Sequence, residues 1–319
     1  MNIGTLQLNN NIFLAPMAGI SDLPYRLVMK RFGAGLVFTE MVSANGLFFS
    51  GAATRELLRS VPEERPLAIQ LFGEDPQRMA DAARMVEEEA DLIDINLGCP
   101  VRKVVRSGAG SALLNDPART GAMLRAVRKA TARPLTIKLR SGWDASRVNF
   151  LEIARIAEAE GVDAITLHPR TRSQGFAGRA NLSHLRELKG AVRAPVIGSG
   201  DLFSAEDIKT MFTTTGCDAV MVGRGGYGNP WLIRQALDLM AGRSPRQPDA
   251  AERGQVARDH LELFIECFGP RKTVGHMRKH LCWYARGLPN SAAFRSRLNV
   301  VDSVASMRGI LEEFFEQAA

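Results

Sequence analysis

Cysteine is scarce in this chain, four residues in 319, and no two of them form a CxxC pair. Neither a disulfide framework nor a zinc cluster of the usual spacing is suggested. No apolar run approaches the length needed to cross a bilayer, and the opening MNIGTLQLNNNIFLAPMAG lacks a basic segment ahead of a long apolar one. Internal repeats and low-complexity tracts are also missing. The expectation is a soluble, cytoplasmic protein in a reducing compartment, without a membrane partner. The sharpest absence is local. Between positions 271 and 299 there is no Asp or Glu, yet Arg271, Lys272, Arg278, Lys279, Arg286, Arg295 and Arg297 all fall there. Those seven charges equal the formal surplus of the whole chain, +7. A solvated helix face normally mixes signs, so this stretch reads as a surface for a polyanion. The plainer alternative is a basic face packed on acidic groups elsewhere in the chain.

What is present is a regular alternation. Short β-rich apolar runs occur at 11–16, 35–40, 66–72, 91–98, 134–140, 163–169, 194–200 and 218–224, with amphipathic helical stretches such as 75–89, 115–130 and 149–161 between them. Asp75-Pro76, Asn115-Asp116-Pro117 and Ser204 ahead of Glu206 supply helix starts. Eight strand–helix units predict an α/β fold, a closed (β/α)8 TIM barrel, with an open doubly wound sheet as the alternative. After the eighth strand the segment 241–254 is polar and carries two prolines, and only helical patterns follow, at 255–269, 274–288 and 302–316. The expected organisation is a catalytic barrel over 1–241 and an all-helical domain over 249–319.

Barrel enzymes work at the C-terminal ends of their strands. Here those ends carry Pro16-Met17, Glu40, Gln70, Asn96, Lys138, His168, Ser199-Gly200-Asp201 and Gly223-Arg224, a ring of polar groups that implies a polar ligand. The last two exits are glycine-rich, and Gly200, Gly223, Gly225, Gly226 and Gly228 would let backbone N–H groups approach an anion, with Arg224 adding charge and Asn229-Pro230 starting a helix. Residues 223–228 also match GxGxxG, but the match follows the eighth strand rather than the first, which argues against a dinucleotide fold. Lys138 could be a Schiff-base lysine, a partner for an anionic ring or a capped strand end; His168 could be a base, a donor or a core histidine. Cys99 lies on the loop side of the fourth strand, whereas Cys217, Cys267 and Cys282 occupy positions where burial is the default. His276 and His280 have i,i+4 spacing, but the residues between them are Met-Arg-Lys, with no Glu and two cations, so no metal is expected there.

The segments APMAGISDLPYR (15–26), TEM (39–41), QLFG (70–73), DINLGCPVRKVVRSGAGSALL (94–114), TIKLRSGW (136–143), TLHPRTRSQGF (166–176) and VGRGGYGNPWL (222–232) resemble the tRNA-dihydrouridine synthases, the bacterial B-type branch above all. The resemblance covers nearly the whole chain. It implies FMN-dependent reduction of the uracil C5=C6 bond in tRNA, with NADPH as reductant, and a D-loop uridine at position 17 as target. It further implies that Pro16, Met17, Ala18, Gln70, Lys138, His168, Ser199, Gly200, Asp201, Gly223 and Arg224 hold the flavin. Asn96 would contact the uracil, and Cys99 would be the proton donor. Arg102, Lys103, Arg170 and Arg172, with the seven cations of 271–299, would face RNA, and Trp283 and Tyr284 either help there or pack in the core. One departure stands out: the family usually has Asn where this chain has Ser199, which shortens the reach of one hydrogen bond to the flavin. A thiol is mostly protonated at neutral pH, so Cys99 needs no tuning to act as an acid. A monomer is expected. A flavin barrel acting on a small molecule, a lysine-dependent lyase and a non-catalytic RNA-binding barrel are the competing readings.

Overall fold

The computed structural model describes residues 1–49 and 51–318. All eight expected runs are strands: β1 Ile12–Leu14, β2 Val37–Ser43, β3 Leu67–Phe72, β4 Leu92–Leu97, β5 Leu135–Asp144, β6 Ala164–Thr171, β7 Val196–Ser199 and β8 Ala219–Val222. Each from β2 to β8 pairs in parallel with the next, and β8 returns to β1 through Val220↔Ile12, Met221↔Phe13 and Val222↔Leu14. The remaining seam is closed by a bridge between Phe13 and Leu36 and by the Leu14 N–H donating to the Leu36 carbonyl at 2.9 Å. The sheet is a barrel rather than an open, doubly wound layer. Two antiparallel additions lie outside the expected pattern. A hairpin, Asn2–Ile3 with Leu6–Gln7, precedes β1, and Arg147–Val148 folds back on the extended end of β5.

Period-two alternation divides each strand between two environments. Ile69, Leu71, Ile93, Ile95, Ile137, Leu139, Ile165 and Leu167 face the surrounding helices in one continuous core. Phe13, Phe38, Ala68, Leu92, Ala164, Ile197, Ala219 and Met221 point inward and fill the lower barrel together with Ile3 and Leu8 from the N-terminal hairpin. The hairpin therefore seals the floor with apolar side chains. Above it the inward positions turn polar.

The helices begin where short polar side chains can accept from the first free N–H groups. Asp22 caps α1 (Leu23–Arg31), Asp75 caps α2 (Pro76–Met85) and Asp116 caps α3 (Pro117–Ala130). After α4 (Phe150–Ala159) and α5 (Leu182–Ala191), α6 (Ala205–Thr215) starts with a capping box in which Ser204 is answered by Asp207 rather than by Glu206. The barrel ends with α7 (Trp231–Met240); the Asn229 side chain does not cap it. Four helices follow where three were expected: α8 Ala250–Phe268, α9 Pro270–Tyr284, α10 Ser291–Asn299 and α11 Val304–Ala318. They share a second core of Leu261, Phe264, Met277, Leu281, Phe294, Met307, Leu311 and Phe314, which also takes in Trp231 from α7.

One fully buried ion pair braces this architecture beneath the junction. Arg26 on α1 donates to Glu64 through Nε at 2.6 Å and Nη2 at 3.0 Å, and also to the carbonyls of Ser21 and Arg59. Both side chains are buried, so removing one partner strands a charge in a low-dielectric interior. Glu64→Gln should cost about 3–5 kcal/mol in urea unfolding. Arg26→Met with Glu64→Leu together should cost clearly less, since no uncompensated charge is left.

Candidate functional site

The polar upper layer of the barrel opens into a cavity of about 290 Å³ at the C-terminal mouth. Its wall includes Pro16, Met17, Ala18, Gln70, Asn96, Cys99, Lys138, His168, Ser199, Gly200, Asp201, Gly223 and Arg224, so the twelve residues expected at the flavin and uracil, together with the thiol, converge on one space. Met41, Arg140, Phe176, Phe203 and Tyr227 line it as well.

A chain of hydrogen bonds runs across three strands to the thiol loop. Thr136 Oγ1 donates to Asp94 Oδ1 at 2.6 Å, and Gln70 Nε2 donates to Asp94 Oδ2 at 2.6 Å. Asn96 Nδ2 donates to Gln70 Oε1 at 2.7 Å, and Asn96 Oδ1 accepts the N–H groups of Gly98 at 3.0 Å and Cys99 at 2.9 Å. Asn96 thus folds the turn after β4 and aims Cys99. Its oxygen is occupied by two amides and its second amide hydrogen faces Met41 Sδ at 3.1 Å. In this arrangement Asn96 positions the turn while lying on the cavity wall. Gly110 backs the same turn, where a Cβ would sit 3.1 Å from Cys99 Cβ. Burial pushes the Cys99 thiol above its ordinary pKa, against the pull of the Val101 N–H, Arg140 and Lys138. The sulfur is held as a neutral thiol at physiological pH.

Lys138 follows Thr136 by two positions on β5 and reaches into the cavity; burial, then Arg140, lowers it to about 8, with Asp94 and Cys99 pulling the other way. Burial likewise raises Asp94, to about 6, against its two hydrogen bonds and Lys138. His168 is pushed down to about 2 by burial and by Lys138, Arg140, Arg170 and Arg224, so it is neutral. Its Nε2 lies 3.3 Å from Arg170 Nη1, which can only donate. The imidazole proton is therefore assigned to Nδ1. Arg140, two residues beyond Lys138 on the same inward face, donates to the carbonyls of Gly98, Thr171 and Gly175 and ties the thiol loop to the loop after β6. Sequence reasoning missed it, although the i,i+2 spacing from Lys138 carried the signal.

Arg170 is 1% exposed and forms a two-pronged pair with Asp201, at 2.6 and 2.9 Å, while donating to the Ala177 and Gly178 carbonyls. Buried in this way, it braces Asp201. Burial would raise the Asp201 carboxyl, but the Arg170 bonds, the Ala180 N–H and Arg224 hold it below the usual range. Arg224 lies over the Phe176 ring at 4.3 Å and the Phe203 ring at 5.4 Å. The hydroxyl of Ser199 donates to the Met221 carbonyl at 3.2 Å, so its one proton is not offered to the cavity.

The glycine-rich exit divides into two uses. The N–H groups of Gly200, Asp201, Gly223 and Arg224 donate to nothing among the described residues, leaving donors at the cavity wall suited to an anion. Gly226 and Gly228 serve packing instead, where a Cβ would fall 2.9 Å from the Tyr25 hydroxyl and 2.3 Å from the Trp283 carbonyl carbon; Gly225 lines the cavity, and a Cβ there would fall 1.9 Å from the Leu202 carbonyl oxygen. The expected five-glycine anion cradle is thus reduced at its far end.

The expected RNA-facing cations also divide. Arg102 and Lys103 are exposed on the short helix Arg102–Arg106 just after Cys99, and Arg271, Arg286 and Arg295 are exposed and form no ion pair among the described residues. Lys272 pairs with Glu56 at 2.5 Å and Arg297 with Glu313 at 2.5 Å. Arg278 donates to the Val301 carbonyl and Lys279 to the Gly19 carbonyl, while Arg172 covers the Trp143 ring at 4.6 Å. Of these residues of 271–299, Lys272 and Arg297 meet acidic groups elsewhere in the chain, whereas Arg278 and Lys279 meet backbone carbonyls. Tyr284 is core, and Trp283 stacks on Tyr227 at 4.2 Å.

The dihydrouridine synthase family model matches residues 13–319. The chain is 41% identical over 317 residues to tRNA-dihydrouridine synthase B of Pasteurella multocida, covering 99% of this chain and 96% of that one. It is 39% identical over 319 residues to a probable tRNA-dihydrouridine synthase of Rickettsia conorii, covering 99% and 96%. Among solved structures, a 2-naphthoyl-CoA reductase superposes with a TM-score of 0.60 at 13% identity over 76% of this chain and 52% of that one. Morphinone reductase superposes with 0.55 at 14% identity over 79% and 91%. These structural likenesses bear on the barrel fold.

Asn96→Ala should release both amides of the Cys99 turn. The expected outcome is a stability loss of about 1–3 kcal/mol together with faster modification of Cys99 by a thiol reagent at pH 7.5, read by mass spectrometry. Unchanged Cys99 reactivity would show that the turn holds without the asparagine.

Proposed function

Because the chain belongs to the dihydrouridine synthase family of oxidoreductases, we propose that it reduces the C5=C6 bond of a uridine in tRNA, with FMN as cofactor and NADPH as the electron source. The observation that carries this reading is the pairing, in one cavity, of a neutral thiol on Cys99 with a lysine ammonium, Lys138. By resemblance to the B-type branch, the target is the D-loop uridine at position 17. The barrel, 1–241, is the catalytic unit and the helical region, 249–319, the tRNA-binding one.

The cavity suits a flavin mononucleotide on two independent grounds. The unpartnered N–H groups of Gly200, Asp201, Gly223 and Arg224 offer a phosphate cradle, and the Arg224 guanidinium adds charge. Lys138 lies deeper, where its ammonium would stabilise an anionic ring edge. Gln70 is committed to Asp94 and Asn96, so it supports the ring wall as a fixed spacer. A reduced flavin held there would supply the hydride for uracil C6. The protein supplies the proton: Cys99 Sγ–H transfers it to C5, the S–H bond breaking as the C–H bond forms. The neutral His168, with its proton on Nδ1, can donate without becoming a charged competitor to Lys138. Asn96 and Arg140 fix the thiol loop, so the sulfur need not be ordered during the reaction.

A uridine reaches such a mouth only after leaving its stack. Arg102 and Lys103 beside the thiol, and Arg271, Arg286 and Arg295 on the helical region, would hold the flanking phosphates; electrostatic contact of this kind weakens steeply with salt. NADPH is taken to approach the same opening in turn with RNA.

Cys99→Ala should lower dihydrouridine formation on unmodified tRNA by about 10²–10⁴-fold while leaving cofactor content intact. Restoration of dihydrouridine by the alanine variant in a deletion strain would refute the acid assignment. Reduction requires Sγ–H, so the rate should stay flat at low pH and fall as pH rises through the raised thiol pKa. Flavin affinity of the cofactor-free protein should drop above pH about 8, as Lys138 loses its proton. Lys138→Met should bind flavin more weakly and without that pH dependence.

A further inference from the structure

A second cavity, of about 450 Å³, lies at the junction between the barrel and the helical region, lined by Asp22, Glu40, Phe264, Lys272, His276 and Lys279 among others. At its edge, donor atoms of Asp22, His276 and His280 all lie within 4.8 Å of one another. Asp22 comes from the start of α1, and the two histidines come from one face of α9. None of the available ligand atoms has a hydrogen-bond partner among the described residues: Asp22 Oδ2, His276 Nε2 and both ring nitrogens of His280 are buried and unsatisfied. Asp22 Oδ2 and His276 Nε2 stand 2.7 Å apart without the alignment of a hydrogen bond. His280 is 1% exposed, and a buried imidazole with neither nitrogen satisfied is a costly arrangement that calls for an occupant.

We propose that Asp22, His276 and His280 form a site for one divalent transition-metal ion of the Zn²⁺ class, clamping the barrel to the helical region. Two imidazoles and a carboxylate are a donor set such ions favour, with water from the adjoining cavity in the fourth position. Metal–ligand distances of about 2.0–2.2 Å place two ligands of a tetrahedron roughly 3.3 Å apart, between the 2.7 Å and 4.8 Å separations seen here. The side chains are also held. Asp22 Oδ1 accepts the Tyr25 N–H at 3.0 Å, which leaves Oδ2 turned outward. The His276 ring stacks on Phe264 at 4.6 Å, and His280 lies against Tyr25 at 5.5 Å and Trp283 at 5.1 Å. The sequence argument against a metal was the absence of a Glu and the pair of cations between the histidines. In the fold both are held by carbonyls, Arg278 by Val301 and Lys279 by Gly19, and Lys279 still borders the cavity.

The site is independent of the redox reading, and its test is a binding measurement. Untagged full-length protein, stripped with EDTA and titrated with Zn²⁺, should bind one ion per chain and melt at a higher temperature. Co²⁺ should give the visible absorption of a tetrahedral nitrogen–oxygen site. Asp22→Asn, which keeps an oxygen to cap α1, and His276→Ala should each weaken Zn²⁺ by more than about 100-fold, beyond the effect of losing an outer-shell partner. Their far-UV circular dichroism should remain that of the parent. Failure to bind a stoichiometric ion, or equal binding by both variants, overturns the proposal. So does a chain that binds no metal but is destabilised by His276→Ala, which would identify a plain Asp–His contact.

Discussion

The fully buried carboxylate of Asp94 sets the geometry on which the mouth of this barrel depends. It takes hydrogen bonds from β3 and β5 at once, through Gln70 and Thr136, and Gln70 passes the constraint to Asn96 and so to the turn that carries Cys99. Four side chains therefore fix a thiol relative to three strands. Burial of Asp94 is expensive alone. It is tolerated because both oxygens are satisfied and Lys138 sits near enough to exert a Coulombic pull. The same burial that raises the carboxyl lowers the lysine, and the pair defines a polar layer directly above an apolar floor.

Charge in that layer is resolved by position. Lys138, Arg140, Arg170 and Arg224 all bear on His168, yet each is handled differently. Arg170 is neutralised by Asp201, and Arg140 is spent on three carbonyls that stitch loops together. Arg224 is spread over two exposed phenylalanines and pairs with Asp201 at 3.4 Å, while Lys138 faces the cavity with no ion pair among the described residues. Such a cationic surround would ordinarily favour a thiolate. Desolvation of the sulfur outweighs it, and the outcome is a proton donor instead of a nucleophile.

The barrel was legible because eight short apolar runs alternating with amphipathic helical stretches leave few ways to fold, and the polar residues at the strand ends followed from the same counting. The hydrogen bonds of Asn96 and Arg170 were not legible, because both are polar residues at the mouth and no motif names the partners they meet there. Asn96 meets the turn two and three residues on, and Arg170 meets Asp201, 31 positions away. The glycines of 223–228 were read as one cradle because a motif carries no information about what stands opposite each Cα. Leu202, Tyr25 and Trp283 stand opposite three of them. The basic stretch 271–299 has no acid of its own, and Glu56, 216 positions from Lys272, supplies one. The N-terminal hairpin was invisible since two-residue strands carry no periodic signal.

These distant pairings converge on a single loop. Residues 16–18 line the cavity, and just beyond them the Gly19 N–H donates to Glu40 while its carbonyl accepts from Lys279 on α9. Gly228 packs on the α9 backbone, and Tyr227 of the cavity stacks on Trp283. The helical region is thus built into the mouth and is not merely tethered to it. A load applied to α9 by a bound polyanion would be carried to the wall of the cavity through Lys279 and Tyr227 without crossing a flexible linker. Cations spent on the chain's own carbonyls thus have a structural use: Lys279 keeps α9 and the loop at the cavity wall in one register.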